Sequence, residues 1–313
     1  MTKTLFTGAE GFFGTSLLRQ NTNWIASVQH KDVADTMGRE YQRKIFTLDI
    51  TNYDNAISVL SDVKPDRILH LAAQSRPDLS WSKPIETINT NIIGTMNILK
   101  ACNQINLKPI ILLASTSAQY GETFEIHKSH TTINEDSIEI PMNPYGVSKS
   151  ASESLSKLFA KYYELDIRYA RIFNTSGYGK LGDVISDFSR RILESNDKHI
   201  SVGNLKPIRC FLHVYDTLLA LEKILDKGLE GEVYNICSDN EFSIKQIFDM
   251  VCQISNKTVE AKTQQSLLRP TDEPIIKGSS EKLKSLGWSE KYNIEDIIRD
   301  CLKFFDDKKT RLV

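Results

Sequence analysis

Short apolar runs recur through the first half of the chain, at 4–7, 24–29, 44–48, 67–71, 109–114 and 166–172. Between them apolar residues return every three or four positions, in stretches of which 85–105 and 145–163 are the longest. Continuous apolar strands alternating with amphipathic helices form the pattern of a parallel sheet covered on both faces, because a strand buried on both sides has no polar face to present. Right-handed crossovers make such a sheet doubly wound. Past residue 175 the beat becomes irregular. Helical patterns at 184–195, 215–227, 244–254 and 294–305 are separated by longer loops and short strands such as 233–236. The expected fold is α/β: a Rossmann-type doubly wound parallel sheet with a smaller C-terminal substrate-binding lobe. Residues 1–175 with 208–240 are assigned to the sheet domain, and 176–207 with 241–313 to the lobe.

Charge narrows the class of partner. Lys plus Arg number 39 against 40 Asp plus Glu, for a formal net charge of −1. No basic excess points to nucleic acid, and no acidic tract points to disorder. The first apolar run is too short for a signal-peptide core, and nothing later approaches a membrane span. Cysteines 102, 210, 237, 252 and 301 never form a C-x-x-C pair, which reads as free thiols in a reducing compartment. The expectation is a cytoplasmic protein acting on a small molecule, with neither nucleic acid nor membrane as partner. His127 and His130 stand three apart in a polar loop, but no Cys, Asp or Glu pattern beside them makes a metal site, and none is expected.

Gly8-Ala9-Glu10-Gly11-Phe12-Phe13-Gly14 joins the first strand to the first helix. Glycine lets the backbone turn tightly and approach a pyrophosphate, whose charge the helix N-terminus stabilises. Gly8, Gly11, Phe12, Phe13 and Gly14 are therefore cofactor-loop candidates, although the spacing is G-x-x-G-x-x-G. Which dinucleotide is read at the end of the second strand, where an acid would bond the ribose of NAD and repel a 2′-phosphate. Here the chain runs Ser27-Val28-Gln29-His30-Lys31, with no acid at the expected point, a cation just beyond, and Asp32 one residue further. NADP(H) is favoured over NAD(H), with His30 and Lys31 as its contacts. Asp49 and Ile50, after the third strand, are placed for the adenine edge.

Tyr145 and Lys149 open a long helical pattern at positions i and i+4, on one face. A neighbouring ammonium favours the phenolate, so Lys149 is expected to lower the Tyr145 pKa and ready it for proton transfer. A Y-x-x-x-K is specific only beside the glycine loop and a strand ending in hydroxyls, and Ala114-Ser115-Thr116-Ser117 supplies those hydroxyls.

With these three in order the chain resembles the extended short-chain dehydrogenase/reductase family, and within it the nucleotide-sugar dehydratases, epimerases and reductases. The resemblance extends through Leu71-Ala72-Ala73-Gln74-Ser75, Arg171-Ile172-Phe173-Asn174 and the segment from Arg209 to Asp216. Arg269-Pro270-Thr271-Asp272 and Leu286-Gly287-Trp288 look especially like GDP-mannose 4,6-dehydratases and the related GDP-4-keto-6-deoxymannose reductases. The resemblance implies that the glycines hold the pyrophosphate, that Leu71, Ala72 and Ala73 line the cofactor, and that Lys149 holds the nicotinamide ribose. It implies Tyr145 as acid/base and Thr116 as partner of the substrate oxygen. Gln74, Ser75, Arg76, Ser117 and Asn174 would line the sugar-nucleotide, with Arg209 and Arg269 clamping its diphosphate through paired charge-assisted hydrogen bonds. It further implies a homodimer formed through the helices at 85–105 and 145–163, where Ile92, Ile93, Leu155 and Phe159 lie beyond one core-facing stripe.

One family feature is missing. The dehydratases place a glutamate two residues after the threonine, as the acid/base for removing water, and here that position is Ala118. A methyl group carries no proton. Thr116, Tyr145 and Lys149 suffice for hydride reduction of a C4 ketone, so the expected activity is NADPH-dependent reduction of a nucleotide-linked 4-keto-6-deoxy sugar, with a GDP sugar favoured, for cell-surface polysaccharide. An NAD-dependent C4-epimerase stays open, as do a dehydratase with a displaced carboxylate and a non-enzymatic NADP sensor.

Overall fold

The computed structural model describes residues 2–20, 22–126, 132–268 and 274–311. Seven parallel strands form the main sheet: β1 (Thr4–Thr7), β2 (Ile25–Val28), β3 (Ile45–Thr47), β4 (Arg67–His70), β5 (Ile110–Thr116), β6 (Ile167–Ile172) and β7 (Val233–Ile236). Their order is β7-β6-β5-β4-β1-β2-β3, so direction of growth reverses beside β1. In a Rossmann fold the crevice at that reversal, outside the C-terminal strand ends, is the ligand site.

Side chains alternate between the two faces, as the strand period of two requires. Phe6, Leu69, Leu112 and Ala170 turn to one face, where α1 (Phe12–Arg19) and the helix Val214–Lys227 cover them with Leu17, Leu18, Leu221 and Ile224. Leu5, Ile68, Ile111 and Tyr169 turn to the other, under the helices Tyr53–Val63, Gly94–Gln104 and Pro144–Tyr163. A strand with both neighbours apolar has no polar side to spare, which is why these runs lack alternation in the sequence.

Two boundaries differ from the sequence expectation in ways that matter. The stretch 85–105 is not one helix. It runs as Pro84–Ile88, a π turn at Asn89–Ile93, and Gly94–Gln104. Periodicity spans the join because a single wide turn displaces the apolar stripe only slightly, and such turns gather at functional sites. The strand expected at 109–114 continues to Thr116, bringing Ser115 and Thr116 into the sheet.

The smaller lobe centres on the helices Val184–Glu194, Ile244–Ile254 and Ile294–Arg311, packed through Phe188, Ile192, Ile247, Phe248, Ile297 and Ile298. His213 ties it to the sheet. Its Nδ1 accepts from the Tyr215 N–H at 3.2 Å, which leaves the proton on Nε2, 3.2 Å from Asp300, and its ring stacks on Tyr292 at 4.2 Å. Among the described residues no helix is long and apolar enough to cross a membrane.

Candidate active site

The crevice begins at the loop after β1. Gly8 has φ +72°, and a Cβ there would lie 2.9 Å from the backbone of Ala72, so only glycine lets this turn approach the end of β4. A Cβ on Gly14 would lie 2.4 Å from Ala9 Cα, which allows α1 to start directly on the strand. Gly11 is the N-cap of α1 and its first-turn N–H groups have no side-chain cap. A loop with glycine at its two ends, leading to an uncapped helix N-terminus, fits a dinucleotide pyrophosphate. Phe12 and Phe13 are half-buried and tilted against each other at 5.4 Å.

At the end of β2 the acid-free segment carries a twist that the sequence hides. The Gln29 N–H donates to a Glu10 carboxylate oxygen at 3.3 Å, so the glycine loop brings its own carboxylate there. His30 is the exposed N-cap of the helix Lys31–Glu40, and Lys31 pairs with Asp35 at 3.0 Å on the exposed helix surface. Asp49 accepts from Thr51 N–H at 3.0 Å and from Gln29 Nε2 at 3.5 Å, while Ile50 is buried under Gly94. Leu71 and Ala72 donate their N–H groups to Thr7 Oγ1 at 3.1 and 3.0 Å, and Ala73 follows them at the rim.

Thr116, at the last position of β5, stands beside Tyr145, the second residue of the helix Pro144–Tyr163. Thr116 Oγ1 also accepts from the Ala118 N–H at 3.2 Å, and Asn143 caps the tyrosine's helix by accepting from Gly146 at 2.8 Å. Strand end and helix start are therefore each fixed by a cap. Burial pushes the Tyr145 phenol above its ordinary value, and the neighbouring Thr116 hydroxyl pulls the other way. The expected lowering by Lys149 does not occur in this geometry: the ammonium donates to the Ala114 carbonyl at 2.8 Å. Burial lowers Lys149 to about 8.

Behind the lysine runs a hydrogen-bond chain. Thr7 Oγ1 already accepts two N–H groups, so its proton goes to His70 Nδ1, 3.0 Å away. His70 Nε2–H then donates to Thr95 Oγ1 at 3.2 Å, and Thr95 donates to the Asn91 carbonyl at 2.7 Å. Burial first, and the charge of Lys149 second, bring His70 to about 3, so it stays neutral. Asn91, in the π turn, spans Gln74 on both its backbone N–H and carbonyl, at 2.9 and 3.0 Å, and donates to Ser148 at 2.9 Å. Ser148 donates to the Tyr145 carbonyl at 2.7 Å. Sequence reading passed over His70, Asn91 and Ser148. The available signal was polar residues on the buried stripe of an apolar period.

Residues 5–301 match the family described as GDP-mannose 4,6 dehydratase. The chain belongs to the GDP-mannose 4,6-dehydratase family. GDP-6-deoxy-D-talose 4-dehydrogenase of Aggregatibacter actinomycetemcomitans is 30% identical over 284 residues, 90% of this chain and 90% of that one. GDP-6-deoxy-D-mannose reductase of Pseudomonas aeruginosa is 30% identical over 252 residues, 78% of this chain and 81% of that one. A solved structure of RMD from Pseudomonas aeruginosa complexed with NADPH superposes with a TM-score of 0.83 at 27% identity, covering 98% of this chain and 100% of that one.

For a member of the GDP-mannose 4,6-dehydratase family the telling position is Ala118, half-buried in the turn Ser117–Gln119 beside Thr116. The two carboxylates that bond this turn, Glu139 and Glu153, both pair with Arg171. Of the sugar-nucleotide candidates, Gln74 has its amide engaged by Thr87 and the Arg76 backbone, Ser75 is exposed, and Arg76 is exposed and paired with Asp78. Ser117 is half-buried. Asn174 donates to the Cys210 carbonyl at 3.2 Å, and Arg209 is buried on the strand Ile208–Cys210 and donates to the Ile208 carbonyl at 2.9 Å. Arg269, His127 and His130 lie outside the described residues.

Proposed function

We propose that this protein is an NADPH-dependent reductase of the C4 ketone of a nucleotide-linked 4-keto-6-deoxy sugar, with GDP as the nucleotide. The observation carrying the reading is the placing of the Thr116 and Tyr145 hydroxyls beside Ala118, at the end of β5 and the start of the helix Pro144–Tyr163: a proton donor and a carbonyl-polarising hydroxyl stand together, with no carboxylate at the dehydratase position. The names of the two 30%-identical relatives, both acting on GDP-6-deoxy sugars, support the substrate class.

Gly8, Gly11 and Gly14 hold the pyrophosphate against α1, Leu71 to Ala73 line the cofactor, and Lys149 holds the nicotinamide ribose. The nicotinamide, when bound, supplies the hydride. Thr116 donates to the C4 oxygen and stabilises the charge developing there. Tyr145, whose phenol burial pushes above its ordinary value, delivers the proton to that oxygen. Gln74, Ser75, Arg76, Ser117 and Asn174 shape the sugar pocket, and Arg209 with Arg269 takes the diphosphate, with 176–207 and 241–313 as the lobe that carries recognition. NADPH preference draws on the absence of an acid within Ser27–Lys31 and on the NADPH complex of RMD at 27% identity, and the Glu10 carboxylate beside Gln29 counts against it.

The protein works in the cytoplasm, a placement supported by five free cysteines. It forms a homodimer through an apolar face on the helices Pro84–Ile88 and Pro144–Tyr163, where Ile85, Leu158 and Tyr162 are exposed by 76%, 67% and 81%. Of the residues first assigned to that face, Ile93 is exposed, Ile92 and Leu155 are half-buried, and Phe159 packs on the core and stacks on Tyr163.

The test is a panel of GDP-, CDP-, dTDP- and UDP-linked 4-keto-6-deoxy sugars, followed by loss of NADPH absorbance. Consumption with the GDP compound and no loss of water from GDP-mannose are expected. Conversion of GDP-mannose to its 4-keto product would remove the reductase reading.

A further inference from the structure

Gln119 is wholly buried in the turn that follows Thr116, and its side-chain amide is fully engaged. Its Oε1 accepts from the Thr116 backbone N–H at 3.2 Å and from the Ser115 hydroxyl. Its Nε2 donates to Glu139 at 3.1 Å and to Glu153 at 3.1 Å. Both carboxylates bind Arg171, whose side chain is 2% exposed: it reaches Glu153 at 2.7 Å, Glu139, and the Tyr120 hydroxyl at 3.0 Å. Glu139 also accepts from Ser150 at 2.7 Å, and Glu153 from Lys157 at 2.8 Å.

The two ends of an amide have nearly the same shape, yet this one has a single orientation. Carboxylates that only accept must face the NH2, and N–H and O–H donors must face the oxygen. Closing a one-turn helix needs no buried charge behind it. Two carboxylates and a guanidinium behind Gln119 are beyond what a cap requires, and they make the side chain a strut between the ion pairs and the strand end.

We propose that Gln119 is a positioning residue for carbonyl reduction, holding the Thr116 backbone so that the threonine hydroxyl meets both Tyr145 and the substrate oxygen. The catalytic part of this rests on the ketoreductase reading above; the strut itself rests on the hydrogen bonds. Leucine at this position keeps the bulk but releases the Thr116 N–H and removes one of the donors that the two carboxylates share, leaving them Arg171.

The experiment compares the unaltered protein with Gln119→Leu and Glu139→Gln. It measures kcat, KM for the keto sugar and Kd for NADPH, and titrates Tyr145 by near-ultraviolet phenolate absorbance as the difference from the same protein carrying Tyr145→Phe. The charged groups around the strut, Glu139, Glu153, Arg171 and Lys157, and Lys149 one turn beyond Tyr145, stay in place in Gln119→Leu. That variant is expected to lose about ten- to a hundredfold in kcat, the cost of misplacing a group by up to about 1 Å, with NADPH binding unchanged. Its Tyr145 should titrate at higher pH, because the Thr116 hydroxyl that favours the phenolate is displaced. If Gln119→Leu does not fold, Glu139→Gln keeps the size and the Arg171–Glu153 pair, and should show a smaller change in the same two readouts. Unchanged kcat with unchanged Tyr145 titration overturns the proposal, as does a fall in kcat matched by equal loss of NADPH binding. Should the unaltered protein reduce no keto sugar, the ketoreductase reading falls, and the phenolate titration alone decides whether Gln119 positions Thr116.

Discussion

Replacing Lys149 with methionine should make the protein more stable and less active. The ammonium sits in a buried site that lowers its pKa from 10.5 to about 8. At about 1.4 kcal/mol per pH unit, keeping it charged in the fold costs roughly 3 kcal/mol. Methionine fills a similar volume without charge. Against this gain, the Ala114 carbonyl loses its 2.8 Å partner, and an unpaired buried acceptor costs about 1–3 kcal/mol. A net stabilisation of about 1 kcal/mol is left at neutral pH. The pH dependence has a definite sign. Because the folded pKa is below the unfolded one, the unfolded chain binds more protons between about 8 and 10.5, so the stability of the unaltered protein rises with pH across that window. Below about 8 both states carry the proton and the penalty is constant. Urea unfolding of nucleotide-free protein, at about pH 7 and about pH 10, reads this directly. Lys149→Met should be the more stable at neutral pH, and its advantage should shrink or reverse near pH 10. A variant less stable at pH 7, or a difference flat with pH, would refute the reasoning.

Tyr145→Phe preserves the ring and its packing while removing the proton, so kcat should fall by about a hundred- to ten-thousandfold with NADPH binding retained, by steady-state kinetics and fluorescence titration. NADPH should give the higher kcat/KM, and His30→Asp should move preference toward NADH by repelling a 2′-phosphate; Glu10→Gln, which removes the carboxylate that the glycine loop brings to Gln29, should strengthen the preference for NADPH. Light scattering at micromolar concentration should report a dimer, and Leu158→Asp with Tyr162→Asp should yield a monomer that still folds, since both side chains are exposed in the single chain.

The sheet was legible because its strands are buried on both faces, so 4–7, 67–71 and 166–172 stand out as apolar runs within a residue of their observed ends. The places of Thr116 at a strand end and of Tyr145 and Lys149 on one helix were legible because spacing follows from a strand end and a helix face. Three things were not. The π turn at Asn89–Ile93 keeps the apolar period intact while it turns Asn91 inward. Lys149 was expected to act on Tyr145, but whether an ammonium meets a phenol or a carbonyl depends on a rotamer, and here the Ala114 carbonyl takes it. The carboxylate near Gln29 comes from Glu10, nineteen residues earlier in the chain, and strand-end spacing does not register a neighbour across a loop.

The interleaving of lobe and sheet also bears on how the chain is made. Strand β7 pairs with β6, yet the lobe helix Val184–Glu194 is synthesised between them. When that helix leaves the ribosome, β6 still lacks its outer neighbour. Phe188 and Ile192 must wait for Phe248 and, on the order of a hundred residues later, for Ile297 and Ile298. At about 5–20 residues per second, this leaves a greasy helix unpartnered for about 5–20 s. Neither half can finish alone: the sheet needs residues 233–236, and the lobe needs the last helix. A truncated product, or a pause within 195–293, exposes an open sheet edge and an apolar helix together, and such fragments should be found with chaperones or in aggregates and not as a smaller folded domain.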